Sequence, residues 1–242
     1  MALCPTNAIV HAKLATDNFI PVGDGVSFDT DTFIQFIRER RSHRHFKDKR
    51  IPVNVLERLI DACRYAPTGS NVQTVEIMVV QNPERRQKLS DLTVDFFDDI
   101  GARAARTLKK AHSGGQEIPE DRETLERTIV YRERMLMARD AGIDPIFYKA
   151  RAVMIFHSPN NTSTPKDNCV IAATTIGLIA RTMGLETTYI GLFEMAAKTY
   201  QPLVDELKLP PGHEVYSVLI LGYPKLRFLR TVDRKPIHTT WE

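Results

Sequence analysis

Short apolar runs alternate along this chain with longer amphipathic stretches. Behind the capping-type residues Asp29, Thr30 and Asp31, an apolar stripe of Phe33, Ile34, Phe36 and Ile37 predicts a helix that ends at a basic cluster. A second helix is predicted over 53–65, with Leu56, Leu59, Ile60 and Cys63 on one face and a stop at Pro67 and Gly69. Val75 to Val80 reads as a buried strand, and Pro83 as the first residue of a long helix running towards Lys110. A polar loop from His112 to Pro119, a charged helix over 120–140 and a strand over 152–156 follow. The alanine-rich stretch from about 166 to 183 reads as a buried helix closed by Gly184, with few polar faces and so at the centre of the structure. Short strands are predicted at 187–190 and 215–222, and the charged, proline-bearing tail from Tyr223 shows no helix pattern. Helices alternating with short apolar strands imply a sheet covered on both faces. Residues 1–27 lack periodicity and read as an extended arm, leaving 28–242 as one domain with a C-terminal tail from 223.

Composition narrows the picture. With 43% hydrophobic and 26% charged residues, the chain can bury a sizeable core. The net charge of +3 is too small for a surface built around a polyanion, so any positive site must be local. One is: between Arg38 and Arg50, seven basic residues face only Glu39 and Asp48. Cys4, Cys63 and Cys169 are few and scattered, which fits a reducing compartment and no disulfide framework. No apolar run reaches a membrane span and the first residues lack a signal-peptide pattern, so the expectation is a soluble, cytoplasmic protein with no membrane partner.

Three segments carry candidate chemistry. Arg40-Arg-Ser-His-Arg44 sets three guanidinium groups and a hydroxyl within five residues, and guanidinium forks match the oxygens of a phosphate monoester. The same cluster also reads as a solvated basic face or a nucleic-acid patch. Ala66-Pro-Thr-Gly-Ser-Asn-Val-Gln73 can offer hydroxyls, amides and backbone N–H groups to a polar heterocycle, or simply end a helix. A second basic cluster runs from Arg227 to Pro236.

Taken in order, these segments resemble the FMN-binding nitroreductase family. Arg-Arg-Ser-x-Arg is similar to its phosphate and ribityl motif, and Ala-Pro-Thr-Gly-Ser-Asn-x-Gln to its flavin-edge loop. Gly184-Leu-Glu-Thr-Thr-Tyr-Ile-Gly191 resembles the central segment whose backbone meets the flavin, and Leu221-Gly-Tyr-Pro224 followed by Arg234-Lys-Pro236 its closing phosphate contacts. The resemblance spans roughly 33–240. It implies an α+β fold, three layers in α/β/α order around a mixed, mostly antiparallel sheet, in an intertwined homodimer. By the same resemblance, Arg40, Arg41, Ser42, Arg44 and Arg234 would hold the phosphate and ribityl chain. Pro67, Thr68, Gly69, Ser70, Asn71 and Gln73 would line the ring from the partner subunit, with Tyr189, Ile190 and Gly191 near its reactive edge. Many members follow the Gln with Pro-Trp, whereas Thr74-Val-Glu stands here, which alters the pocket wall.

The function so implied is ping-pong reduction of nitroaromatics, quinones or similar electron-poor acceptors by an FMN enzyme. NADH or NADPH would donate transiently, or a ferredoxin would. Cys4-Pro-Thr-Asn-Ala-Ile9 resembles the last cysteine stretch of a bacterial ferredoxin, a domain that precedes some relatives; it reads as a fusion remnant or a chance match. Three cysteines cannot complete a four-iron cluster. No side chain is singled out as catalytic, since flavin or water can supply protons. No metal is expected: His43 and His45 have no Asp, Glu or Cys at ligand spacing and two arginines beside them that would repel a cation, while His157 lies at a strand end. The rival reading is a noncatalytic nucleic-acid module on 38–50, against which stand the modest charge and the lack of interleaved aromatics. Residues 112–148, with Tyr131, Phe147 and Tyr148, are the expected pocket cover.

Overall fold

A computed structural model of the chain describes Phe19, Val22, 29–114 and 121–242, in two compact units, Met1–Glu39 and Arg40–Glu242. In the first, Asp29 accepts the Thr32 N–H at 2.8 Å and starts helix α1, Thr30–Glu39, as its capping chemistry predicts. None of α1 is buried. The expected boundary at 27/28 falls inside this unit, and the Cys4 stretch lies outside the described residues.

The second unit begins with α2, Val53–Cys63, which buries Leu56, Leu59 and Cys63 at helical spacing. Strand β1, Glu76–Val80, is less buried than its apolar run suggests, because it lies at the sheet edge and only Val80 is fully covered. Pro83, whose missing N–H costs nothing at a helix start, opens α3, Pro83–Gly114. His112–Gly114 therefore continue the helix rather than open a loop, and 115–120 lie outside the described residues. The Asp121 carboxylate accepts the Thr124 N–H at 3.1 Å and caps α4, Arg122–Asp140. Strand β2, Ala152–Pro159, precedes α5, Pro165–Thr182. Gly184, at φ +72°, takes the left-handed turn after α5 that only glycine adopts without penalty. Strand β3, Glu186–Tyr189, leads into α6, Gly191–Thr199, and α7, Gln201–Leu207, before β4, His213–Gly222. Neither α6 nor α7 is foreseen from the sequence: no capping side chain marks either start, and α7 is only seven residues.

The strand order is β1-β2-β4-β3, with all three pairings antiparallel. Period-two alternation splits the sheet between two cores. Ala152, Met154 and Phe156 of β2 join Leu219 and Leu221 of β4 against α2 and α5. Val153, Ile155, Val218 and Ile220 pack oppositely with Leu89, Phe147 and Phe193 under α3 and α6. These are the three expected layers. Cys63 and Cys169 sit in the first core, where burial pushes their thiols up to about 11 and about 12, so both stay protonated. Helix α5 is central, but one stripe remains open: Val170 and Ile171 are each 37% exposed, with Thr174 on the same face. Phe147 is core, its ring tilted against Phe193 with centroids 5.4 Å apart, and so is no pocket cover. Among the described residues no helix is long and apolar enough to cross a membrane.

A buried carboxylate turns the chain from α4 into β2. Asp144 accepts the Ser90 hydroxyl at 2.7 Å and the N–H groups of Ile146, Phe147 and Lys149 at 2.9–3.1 Å. Charge-assisted bonds of this kind are each worth about 1.5–3 kcal/mol. Asp144→Ala strips four donors of their acceptor and should lower unfolding stability in urea by at least about 3 kcal/mol. A loss below 1 kcal/mol, roughly the net worth of one ordinary bond, would mean the turn is held by its apolar packing alone.

Candidate functional site

The arginine motif is extended and wedged between β3 and the end of β4. The His43 N–H donates to the Thr187 carbonyl at 3.3 Å, and the Thr188 hydroxyl donates to the His43 carbonyl. Further on, the Lys47 N–H meets the Tyr223 carbonyl at 2.8 Å and the Lys225 N–H meets that of His45 at 2.9 Å. Phe46 lies across Gly222, where an added Cβ would stand 2.6 Å from its ring, so only glycine lets the segment close on the sheet. The backbone of the motif is thus fixed from both sides, leaving its side chains to project.

Among the described residues those side chains have no counter-ion. The Arg41 guanidinium lies over Phe228 at 4.8 Å and that of Arg44 over Tyr148 at 5.5 Å, both cation–π contacts. Ser42 is exposed beside them. Among the described residues no carboxylate lies within ion-pairing distance of Arg40, Arg41 or Arg44. Nearby arginines differ: Arg151 takes Asp48 at 2.6 Å and Arg181 takes Glu186 at 3.2 Å. Three unneutralised guanidinium groups and a hydroxyl are a donor set for a phosphate-bearing anion.

Tyr189, Ile190 and Gly191 lie where β3 passes into α6. The Tyr189 hydroxyl is 2.7 Å from that of Thr174, and partial desolvation of this half-exposed side chain pushes its pKa up against the opposing effects of Thr174 and Arg40, so it stays neutral. Ile190 is buried and bonds through its N–H to the Val218 carbonyl at 2.9 Å. A Cβ built on Gly191 meets nothing within 4 Å, leaving open space at the first turn of α6, whose N–H groups carry partial positive charge.

Loop Ala66–Gln73 stands elsewhere. The Gly69 N–H donates to the buried Asn168 side chain at 2.8 Å, and Asn168 Nδ2 donates back to the Ser163 carbonyl at 2.7 Å. Thr68 Oγ1 accepts the Gln73 N–H at 3.1 Å, while Ser70, Asn71 and Gln73 all have φ near +50°. Three non-glycine residues in the left-handed region cost about 1–3 kcal/mol each, a strain that clusters at ligand-binding segments. Pro67 precedes this turn. The loop thus sits at the N-terminal end of α5, while the arginines sit beside β3, near the level of Arg181 at the helix's other end. Thirteen residues of helix separate Asn168 from Arg181, roughly 20 Å. One chain does not bring the two motifs together. Arg234 is exposed in the tail, with its N–H on the Asp233 carboxylate at 2.9 Å.

The profile described as the nitroreductase family matches residues 37–223. The chain belongs to that family. It is 27% identical over 205 residues to 4-nitrobenzoate reductase of a Nocardioides species, covering 80% of this chain and 81% of that one. To the NAD(P)H-dependent FMN reductase of Bacillus subtilis it is 26% identical over 203 residues, 79% and 65% of the two chains. Among solved structures, an FMN-bound nitroreductase of Bacteroides fragilis superposes with a TM-score of 0.62 at 22% identity, over 88% of this chain and all of that one. That likeness establishes the nitroreductase fold here.

Within this family member, several supporting residues escape motif reading. Phe228 sits edge-on to His43 at 4.7 Å as well as under Arg41, yet it hides among the charges of the tail. Asn168 positions Gly69, and a lone buried amide in an alanine-rich helix was a legible signal. Tyr148, at φ +54°, reaches Arg44 from the segment expected to cover a pocket. His43 is buried, with its Nε2 3.8 Å from Glu186. Burial, the largest influence, lowers the His43 pKa below 6.5; Glu186 opposes this, while Arg181, Arg41 and His45 reinforce it. The sign follows: the unfolded chain binds a proton more readily, so stability present above 6.5 is lost as pH falls through the folded value. Thermal midpoints should therefore drop on acidification below 6.5, and His43→Gln should flatten that limb. Parallel profiles for the two proteins would remove His43 as the cause.

Proposed function

We propose that this chain is an FMN-dependent oxidoreductase that takes electrons from NADH or NADPH and passes them to small electron-poor acceptors such as nitroaromatics and quinones. The observation that carries the reading is the set of three guanidinium groups without carboxylate partners among the described residues, on a backbone fixed to β3, the strand that leads into the open backbone at Gly191. Arg40, Arg41, Ser42 and Arg44 would hold the phosphate and ribityl chain, joined by Arg234. FMN held there would supply the redox chemistry that links the nicotinamide donor to the acceptor. The chain's own part is to bind and orient. The first turn of α6 places partial positive charge beside Tyr189–Gly191, where it favours an anionic ring edge. Tyr189, held neutral, can donate a hydrogen bond but not act as a base. Reduced ferredoxin is the alternative donor, on the strength of the Cys4 stretch, and the scattered cysteines suit a cytosolic setting.

The reading includes a homodimer with two shared sites. Its support is the distance between the two halves of the motif in one chain, together with two uncovered apolar surfaces. One is the α5 stripe of Val170 and Ile171; the other is the tail, where Leu229, Ile237 and Trp241 are 88–90% exposed. Two copies packed antiparallel along α5 would set Pro67–Gln73 of each beside the arginines of the other.

Two measurements test this. Arg41→Ala and Arg44→Ala should each weaken FMN binding roughly ten- to a hundredfold, about 1.5–3 kcal/mol, with the fold intact by circular dichroism. Stoichiometric FMN retained through dialysis by both variants would dismiss the phosphate assignment. Sedimentation of the intact holoprotein should give a dimer at micromolar concentration, and truncation after Pro224 should lose dimer and FMN together. A monomer that keeps its FMN would contradict the shared site. Anaerobic reduction with NADH, NADPH and reduced ferredoxin in turn identifies the donor.

A further inference from the structure

At the end of the sheet away from the arginines, three strands present ligating side chains to one point. Glu76 opens β1 and pairs directly with His157 of β2; His213 opens β4, opposite Pro159, and so lies diagonal to His157 on the neighbouring strand. One candidate ligand atom from each falls within 4.8 Å of the other two. The two imidazoles face each other through Nδ1 at 3.0 Å, and Glu76 Oε1 stands 3.9 Å from His213 Nε2.

The coincidence depends on a bulge. Val218 and Ile220 face the core under α3 and α6, and strict alternation would turn His213 to the opposite face. The register of β2 against β4 slips between Phe156 and His157, so that Phe156 opposes Ser217 and His157 opposes Val215. Tyr216 is the additional residue, and beyond it Val215 belongs to the same core as Val218. The slip brings His213 onto the face that already carries His157 and Glu76. Bulges that re-aim a side chain mark functional positions.

We propose that Glu76, His157 and His213 form a binding site for a borderline divalent transition metal, of which Zn(II) is the test ion. Two imidazole nitrogens and a carboxylate oxygen are the donor set of that class. Facing nitrogens 3.0 Å apart, each about 2.0–2.1 Å from a shared ion, subtend an angle of about 95°. Ring rotation by a few tenths of an ångström reaches the tetrahedral value, and Glu76, largely exposed, is free to swing in. Three protein ligands leave at least one position for water. Entry is available, since His213 also lines a cleft of about 710 Å³ bounded by Lys198, Asp205 and Lys208. The ion would fasten edge strand β1 to β2 and β4 just after Thr74, whose hydroxyl is 3.0 Å from that of Ser158, and so steady the base of the Ala66–Gln73 loop.

The test uses tag-free holoprotein treated with EDTA and titrated with zinc chloride by calorimetry, with metal content by mass spectrometry. Expected are one zinc per chain and a raised thermal midpoint. Glu76→Gln and His213→Gln should each weaken zinc at least tenfold and reduce the thermal shift. Glu76, on the surface, gives a variant that folds even should a histidine change not. Substoichiometric zinc in the wild type, or unchanged zinc affinity in Glu76→Gln and His213→Gln, overturns the site and leaves a hydrogen-bonded histidine pair.

Discussion

Strands β2 and β4 pair along nearly their whole length with both faces largely buried, so most of their side chains must fit one of two cores. No backbone group in such a ladder can turn to water, and each must bond to its neighbour strand. Position along this pair thus fixes almost everything else: β1 and β3 hang on its sides, and helices gather on its faces. The arginine segment is an extension of the same ladder, because Tyr223 and Lys225 go on bonding to it after β4 ends. The bulge at Tyr216 is the one interruption, and it alters what faces outward at the far end.

Rigidity of this kind suits the phosphate role proposed for the arginine segment. Arg40, Arg41 and Arg44 leave a backbone held by Thr187, Thr188 and Tyr223, and aromatic rings of Phe228 and Tyr148 hold two guanidinium groups. An anion arriving there meets donors already ordered, so less side-chain entropy is lost on binding. Mutual repulsion of the cations is the cost in the free chain. The neutral state favoured for buried His43 keeps a fourth positive charge out of the cluster.

The opposite end of α5 is organised differently. Asn168 accepts the Gly69 N–H and the Thr164 hydroxyl alike, and an added Cβ on Gly69 would run into Thr164 Oγ1. The loop is strained yet anchored, and its strain is offset by packing that one chain supplies. The open α5 stripe and the exposed tail are the uncovered surfaces on which the proposed dimer rests.

Much of the fold was legible because burial imposes periodicity. The stripe of α2, Pro83, Gly184 and the apolar runs of β2 and β4 each announce an element; the stripe of α1 announces one too, although none of it is buried. The Arg-Arg-Ser-x-Arg and Ala-Pro-Thr-Gly-Ser-Asn-x-Gln motifs were legible because local chemistry needs particular residues in one short stretch. Helices α6 and α7 were not, since their stability comes from Phe193 and Leu203 packing into the core rather than from caps. Edge position made β1 less buried than its sequence suggests. Phe147 became core and Tyr148 reached Arg44 through contacts between elements distant in sequence. The grouping of Glu76, His157 and His213 depends on strand register and one extra residue in β4. No local pattern encodes that, because register is decided by which side chains the two cores accept.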